Sequence, residues 1–493
     1  MANINLGTYY TAIELIRNFV NNKTIDKDFF NEKIMNMSNE ENSQATNENI
    51  GEEASRTNKA YEENPQATNE NIGEEASRAN KAYEENSQAK NNAGEEASRA
   101  NKAYEENSQA TNNAGEEASR NNNIGILYYI AKKHNLVSLM AQAMEKMGFE
   151  SDSDIWKRWL KEKNQLIYKS VLMDVEREAI QNFFEKNNIW YMLLKGMVIR
   201  KYYPAPELRE MADNDILFDN KYSKEVYDFM TARGYKSDDY NKGYHDEYLK
   251  PPAYNFEMHR QLVSSKERPK WYEYYKDVKS ILINDANGKN QFYFSDNDFY
   301  VYFIVHTYKH FLNSGMGLRT VLDVYLYVSN LQDKLDFDYI EEQLKKLDAY
   351  DFEQTFRSLA FKMFGENAKE GNVAADELQD SFDAKEQDML RESFDAKEQD
   401  MLSYILDAGT YGNLENSVAH KMGYAKGEKK KASDKAKYIF HRLFPSMDII
   451  EEFFPFFYKH KWAIPFLYIY RIGKIPFTRR KMVAGELREV FKK

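Results

Sequence analysis

The chain has 493 residues with 68 Lys and Arg against 79 Asp and Glu, a net charge of −11 that excludes a general nucleic-acid coat protein, whose surface would be basic. It contains no Cys, which excludes a disulfide framework, thiolate zinc sites and a cysteine nucleophile. Chemistry is left to carboxylates, His, Lys, Arg, Ser, Thr and Tyr.

Residues 1–38 read as an N-terminal helical segment, with helical periodicity from Tyr9 to Val20. Glu14 and Arg17 interrupt this stretch, so it does not read as a secretory signal, and no run of 18 apolar residues predicts a transmembrane helix. A cytoplasmic location is expected. Residues 39–121 are a low-complexity tandem repeat marked by Gly51, Gly73, Gly94 and Gly115, at spacings of 22, 21 and 21. Each unit offers one Tyr, some Ala and little else to bury. The expectation is disorder or fluctuating helix, with a solvated Ala-faced helix as the alternative.

Residues 122–186 read as helical, through Gly125 to Lys146 and then Trp156 to Lys186. From 187 to 295 the pattern changes to short strand-like runs: Trp190–Leu194, Ile216–Phe218, Gly243–Leu249, Tyr254–Leu262 and Gln291–Phe294. A helix from Tyr222 to Arg233, closed by Gly234, separates them. Residues 296–445 read as a helical domain that includes Phe299–Phe311 and Leu318–Val328. Within it Ser381–Leu390 is duplicated at Ser393–Leu402. A shift of 12 residues turns a helix about 120° past whole turns, so the two copies cannot both face one core. Residues 446–493 read as basic, aromatic C-terminal helices.

The chemistry concentrates between Leu193 and Phe218. Asp213 and Asp215 are separated by one residue at the entry to an apolar run, and on a strand both carboxylates would share a face. Two like charges that close need a cation between them, and a hard ion such as Mg²⁺ prefers oxygen ligands. Upstream, Lys195-Gly196 follows an apolar strand, where a glycine permits close backbone approach to phosphate and a lysine adds positive charge. Downstream, Glu257 and His259 again sit at alternate positions. Metal-assisted nucleotidyl transfer requires such a set, with carboxylate-held ions gripping the phosphates.

This arrangement resembles the DNA polymerase beta-like nucleotidyltransferase superfamily and, more closely, a family of bacterial nucleotidyltransferases. The motifs are Leu194-Lys-Gly196, Tyr203 to Arg209, Asp213-Asn-Asp215 and Glu257-Met-His259, with Leu127–Leu136 upstream and His306, His310 and Leu318–Asp323 downstream. The resemblance implies an α+β fold: a nucleotidyltransferase-fold mixed β-sheet core with flanking helical domains, into which the low-complexity repeat is an insertion. It implies Asp213, Asp215 and Glu257 as catalytic metal ligands for Mg²⁺ or Mn²⁺. Lys195, Gly196 and Arg209 would bind nucleotide, and His259, His306 and His310 would line a substrate pocket. The early motif has Met197 where the wider superfamily has Ser after the glycine.

Plainer readings stand beside these. Lys195 could be a solvated strand-end residue, Arg209 an ion-pair partner of Glu207 or Glu210, and His259 a core histidine. His306 and His310, four apart on a helix, could hold a metal, line a pocket or simply pack. Arg319 and Asp323 have the spacing of a helix ion pair. From His420 onward the chain carries 18 Lys and Arg against 7 Asp and Glu. That tail could meet a weak anionic partner, or pack as a helical pair with its charges solvated.

The expected activity is Mg²⁺-dependent transfer of a nucleoside monophosphate from an NTP to an unknown hydroxyl-type acceptor, whether small molecule, protein or RNA. The alternative is a catalytically inactive member of the same fold that binds nucleotide or a partner protein. A third reading, an interaction protein working through its repeats or tail, would be indifferent to the acids.

Overall fold

A computed structural model describes residues 6–23, 112–365 and 393–478, except 239, 252–253, 267, 286–289, 314, 411, 413–417, 419–431, 448–449 and 452–453, and beyond these only 488 and 490. The repeats before residue 112 and the duplicated copy at 381–390 lie outside the described residues. Of the two compact units into which the chain divides, the one that starts at Leu127 and includes the helix α1 (Leu6–Val20) holds the sheet and every residue discussed below. The described part of the other unit is the helical run 112–126.

The single helix expected from Gly125 to Lys146 is two, α2 (Asn112–His134) and α3 (Val137–Lys146). The break falls at Asn135, whose φ of +54° is a left-handed conformation that Asn tolerates better than most residues. Helix α4 (Asp154–Lys186) starts at Ser153, whose side chain accepts from the Trp156 amide and satisfies one of the helix's free N–H groups. It buries Trp156, Trp159, Met173, Ile180 and Phe184 along its length.

Next come β1 (Tyr191–Leu193), the short helix α5 (Gly196–Ile199), β2 (Asn214–Phe218), α6 (Ser223–Ala232), β3 (His245–Lys250) and β4 (Tyr254–His259). The four strands form one sheet in the order β1-β2-β4-β3. Strand β2 is antiparallel to β1 and parallel to β4, and β4 is antiparallel to β3. Alternation along these strands separates two faces. Tyr191, Ile216, Phe218, Tyr248, Phe256 and Met258 form one apolar face and cluster with Ile180 and Phe184 of α4 and Val226 and Met230 of α6. Each such side chain contributes about 1.5–3 kcal/mol by burial. The other face carries the polar residues, because the register sets Asp215 beside Glu257, and His245 beside His259.

The strand-like run ending at Phe294 meets this sheet only through an isolated parallel bridge of Gln291 to Tyr191, whose amide donates to the Asn290 carbonyl at 3.0 Å. Strand β6 (Phe292–Tyr293) pairs instead with β5 (Ile283–Asn284) in a separate ribbon. A helix not anticipated from the sequence, α7 (Pro269–Tyr275), precedes them; at seven residues it is too short to display a periodicity, although Trp271 and Tyr275 are buried four apart. The helical part then runs through α8 (Asp296–Asn313), α9 (Leu318–Leu331), α10 (Phe337–Lys346), α11 (Tyr350–Phe364) and α12 (Ala396–Ala408). The second duplicate copy supplies the start of α12: Asp395 and Glu398 form a reciprocal capping box, and Phe394 and Leu402 are buried. Helices α13 (Ala432–Leu443), α14 (Pro455–Lys459) and α15 (Ile464–Thr478) follow.

Candidate active site

The site is built where the polar face of the sheet meets the turn after β1. Leu194 stays tied to the sheet, its amide donating to the Asp215 carbonyl at 3.0 Å. The chain then reverses through Lys195 and Gly196, closed by a 3.1 Å bond from the Met197 amide to the Leu194 carbonyl. Lys195 adopts φ +48°, ψ −118°, the first central position of a type II′ turn, where glycine is the usual occupant. A side chain there costs about 1–3 kcal/mol, and such strain clusters at functional sites. The glycine follows instead, for a packing reason. A Cβ on Gly196 would overlap Arg209 Nη1 and Met211 Sδ.

The strained turn delivers the Lys195 ammonium to the acids. Its Nζ lies 2.5 Å from Asp215 Oδ1 and 3.7 Å from Glu257 Oε2. His259, buried on β4, places Nε2 2.9 Å from the same Asp215 oxygen and 3.4 Å from Glu257 Oε2. Ligand atoms of Asp215, Glu257 and His259 all lie within 4.8 Å of one another. Asp213, one residue before β2, is outside this cluster but within its electrostatic field.

The charges are interdependent. Burial alone would favour a neutral Asp215, but Lys195 and His259 hold its carboxyl well below the usual range. Glu257 behaves likewise: burial opposes its charge, and the His259 hydrogen bond and Lys195 bring it down. His259 is moved the other way, with burial outweighed by hydrogen bonds to Asp215 and Glu257 that favour its cation. For Asp213, burial and then the Asp215 charge win over Lys195, and its carboxyl is pushed up to about 6. Three acids thus share two nearby cations, and Asp213 is the one left undercompensated.

Helix α8 supplies the opposing wall. Tyr302, His306 and His310 follow at intervals of four, hence on one face, with His306 Nε2 and His310 Nε2 2.9 Å apart. Burial, and then the Lys195 and His310 charges, keep His306 neutral, well below the usual histidine range. The Tyr302 hydroxyl is buried with no hydrogen-bond partner among the described residues and lies in the field of Lys195, Asp215 and Glu257. Lys309 Nζ donates to the Tyr244 hydroxyl at 2.8 Å, linking α8 to the chain just before β3. His245 on β3, its ring 5.0 Å from that of His259, is pushed down to about 4 by burial and by the His259 charge.

Arg209 is placed differently from its expected role as a phosphate clamp. It is buried, and its fork grips Asp323 on α9, with Nε at 2.9 Å from Oδ1 and Nη2 at 2.7 Å from Oδ2. Tyr203 donates to the same Oδ1 at 2.7 Å. Nor does it pair with Glu207 or Glu210, and Asp323 is not held by Arg319, whose Nη1 donates to the Glu210 carbonyl at 2.7 Å. A bidentate guanidinium–carboxylate pair satisfies both groups when water is excluded, so Arg209 anchors the Tyr203–Arg209 segment to α9 and backs Gly196. Tyr302, Tyr244 and His245 are the site residues missed from sequence. Tyr302 lies within an apolar run that reads as core, whereas His245 had a signal: its strand alternates, which a β3–β4 hairpin turns toward Glu257.

The donor set suits a divalent cation. Carboxylates fit Mg²⁺ or Mn²⁺. Residues 121–365, just under half the chain, match the model of a family described as uncharacterised nucleotidyltransferase, which supports a nucleotidyltransferase family for the stretch that holds this sheet and site. No curated protein and no solved structure matches the chain. Among the described residues, no helix is long and apolar enough to cross a membrane.

Proposed function

We propose that the protein transfers a nucleoside monophosphate from an NTP to a hydroxyl-type acceptor and releases pyrophosphate, using Mg²⁺ or Mn²⁺, in the cytoplasm. One observation carries this reading: Asp215 and Glu257 stand side by side on parallel strands, beside a glycine turn that delivers a lysine. A divalent cation held there would neutralise the triphosphate and stabilise the leaving pyrophosphate. Asp215 and Glu257 would be its ligands, with Asp213 available at the strand entry and His259 fixing the Asp215 carboxylate. Lys195 supplies the charge for the phosphates. His306 and Tyr302 line the acceptor side, where their polar groups can orient a hydroxyl.

The test is to incubate the protein with each α-labelled NTP, Mg²⁺ or Mn²⁺, and fractionated small molecules, protein and RNA as acceptors. Label should enter one fraction with the wild type and not with Asp215→Asn. Nucleotide binding without any transfer would leave the inactive, nucleotide-binding reading in its place.

A further inference from the structure

The C-terminal helices present an apolar face to solvent. Ala463 and Leu467 are buried, but Phe456, Trp462, Phe466 and Ile469 are 59%, 73%, 62% and 68% exposed. Trp462 and Phe466 touch, with ring centroids 6.5 Å apart, and Ile469 follows one turn later on α15. Four large side chains in one exposed stretch are uncommon unless something covers them. The sequence around them specifies its charge. Residues 455–481 contain seven Lys and Arg (Lys459, Lys461, Arg471, Lys474, Arg479, Arg480 and Lys481) and no Asp or Glu, in a chain whose net charge is −11.

We infer that this segment docks on an anionic lipid surface, lying in the headgroup region with Trp462, Phe466 and Ile469 inserted and the exposed Lys459 and Lys461 on the lipid phosphates. Trp and Phe favour the boundary between headgroups and acyl chains, and a basic polar side adds attraction that an acidic body would otherwise oppose. An aliphatic residue beside the aromatics fits acyl chains better than stacked bases. Among the described residues no helix is long and apolar enough to span a bilayer, so the inferred contact is with one leaflet. The nucleotidyl-transfer reading is not needed for this inference.

Flotation of the full-length protein with phosphatidylcholine vesicles, with and without phosphatidylglycerol, tests it. The wild type should float with the anionic vesicles alone and be released by high salt. Trp462→Ser/Phe466→Ser should lower partitioning roughly tenfold or more, with unchanged circular dichroism because both side chains are exposed. Should that variant melt early, Ile469→Glu gives the same reading from a single exposed position. Asp215→Asn should float like the wild type, which separates docking from catalysis. Failure of the wild type to float would overturn the inference. So would equal flotation of the apolar variants, binding of an RNA homopolymer in place of vesicles, or a patch-dependent dimer that ignores lipid.

Discussion

Lys195 Nζ sits 2.5 Å from Asp215 Oδ1, so a side chain from the strained turn after β1 neutralises the carboxylate at the head of β2. The ammonium stands against the same oxygens that a divalent cation would use. Metal and lysine therefore compete, and an arriving Mg²⁺–triphosphate gives the ammonium a new partner in the phosphates.

Lys195→Met removes this competitor. Without nucleotide, Mn²⁺ affinity, read by electron paramagnetic resonance, should rise about tenfold or more, since even a partly screened charge at this distance is worth more than 1.4 kcal/mol. Without metal the variant should be about 3 kcal/mol less stable, because Asp215 keeps a buried charge with only His259 beside it. Lys195→Arg should restore the wild-type affinity. Unchanged Mn²⁺ binding in Lys195→Met would count against the competition.

Arg209→Lys should destabilise the protein by about 2–4 kcal/mol in denaturant titrations. An ammonium cannot reproduce the two-pronged grip on buried Asp323, which Tyr203 shares. Gly196→Ala should weaken the same arrangement by about 1–3 kcal/mol, because its Cβ must displace Arg209 and Met211. A stable Arg209→Lys protein that has lost nucleotide binding would restore the phosphate clamp expected from sequence.

Asp213 gives a pH signature. Its folded carboxyl, raised to about 6, keeps its proton while the unfolded one, near 3.8, has lost it. The native state binds more protons across that window, so this group lowers stability as pH rises from about 4 to 6, and the loss persists above. Asp213→Asn should abolish this contribution and make the metal-free protein more stable at pH 7 by on the order of 2 kcal/mol. Thermal melts of both proteins at pH 4, 6 and 7.5 check it; a gap that does not widen with pH would contradict the assignment.

Tyr302→Phe removes a buried hydroxyl that has no partner among the described residues. Stability should change by less than about 1 kcal/mol, since no hydrogen bond is lost. Transfer should nevertheless fall, with the loss in the acceptor's KM or in kcat. Full activity with every acceptor would place Tyr302 outside the substrate site.

The sequence showed these elements unevenly, for physical reasons. Asp215, Glu257 and His259 were legible because a strand's two-residue period puts alternate side chains on one face, and spacing alone then pairs them. The helices α4, α8 and α9 announced themselves by periodic burial over many turns. The Arg209–Asp323 pair spans 114 residues, so nothing local distinguishes it from the nearer partners Glu207, Glu210 and Arg319. Tyr302 was hidden because a tyrosine in an apolar helical run looks the same whether its hydroxyl meets the core or a site. The positive φ of Lys195 was masked by the glycine beside it, which a turn would normally place first.

Isothermal titration of Mn²⁺ with a non-hydrolysable NTP tests the central claim most directly, because it requires no knowledge of the acceptor. The wild type should bind nucleotide only when Mn²⁺ is present, and Asp215→Asn and Glu257→Gln should each lose about 2 kcal/mol or more of that binding. Metal-independent nucleotide binding, or wild-type affinity in both variants, would contradict a metal-held triphosphate at Asp215 and Glu257.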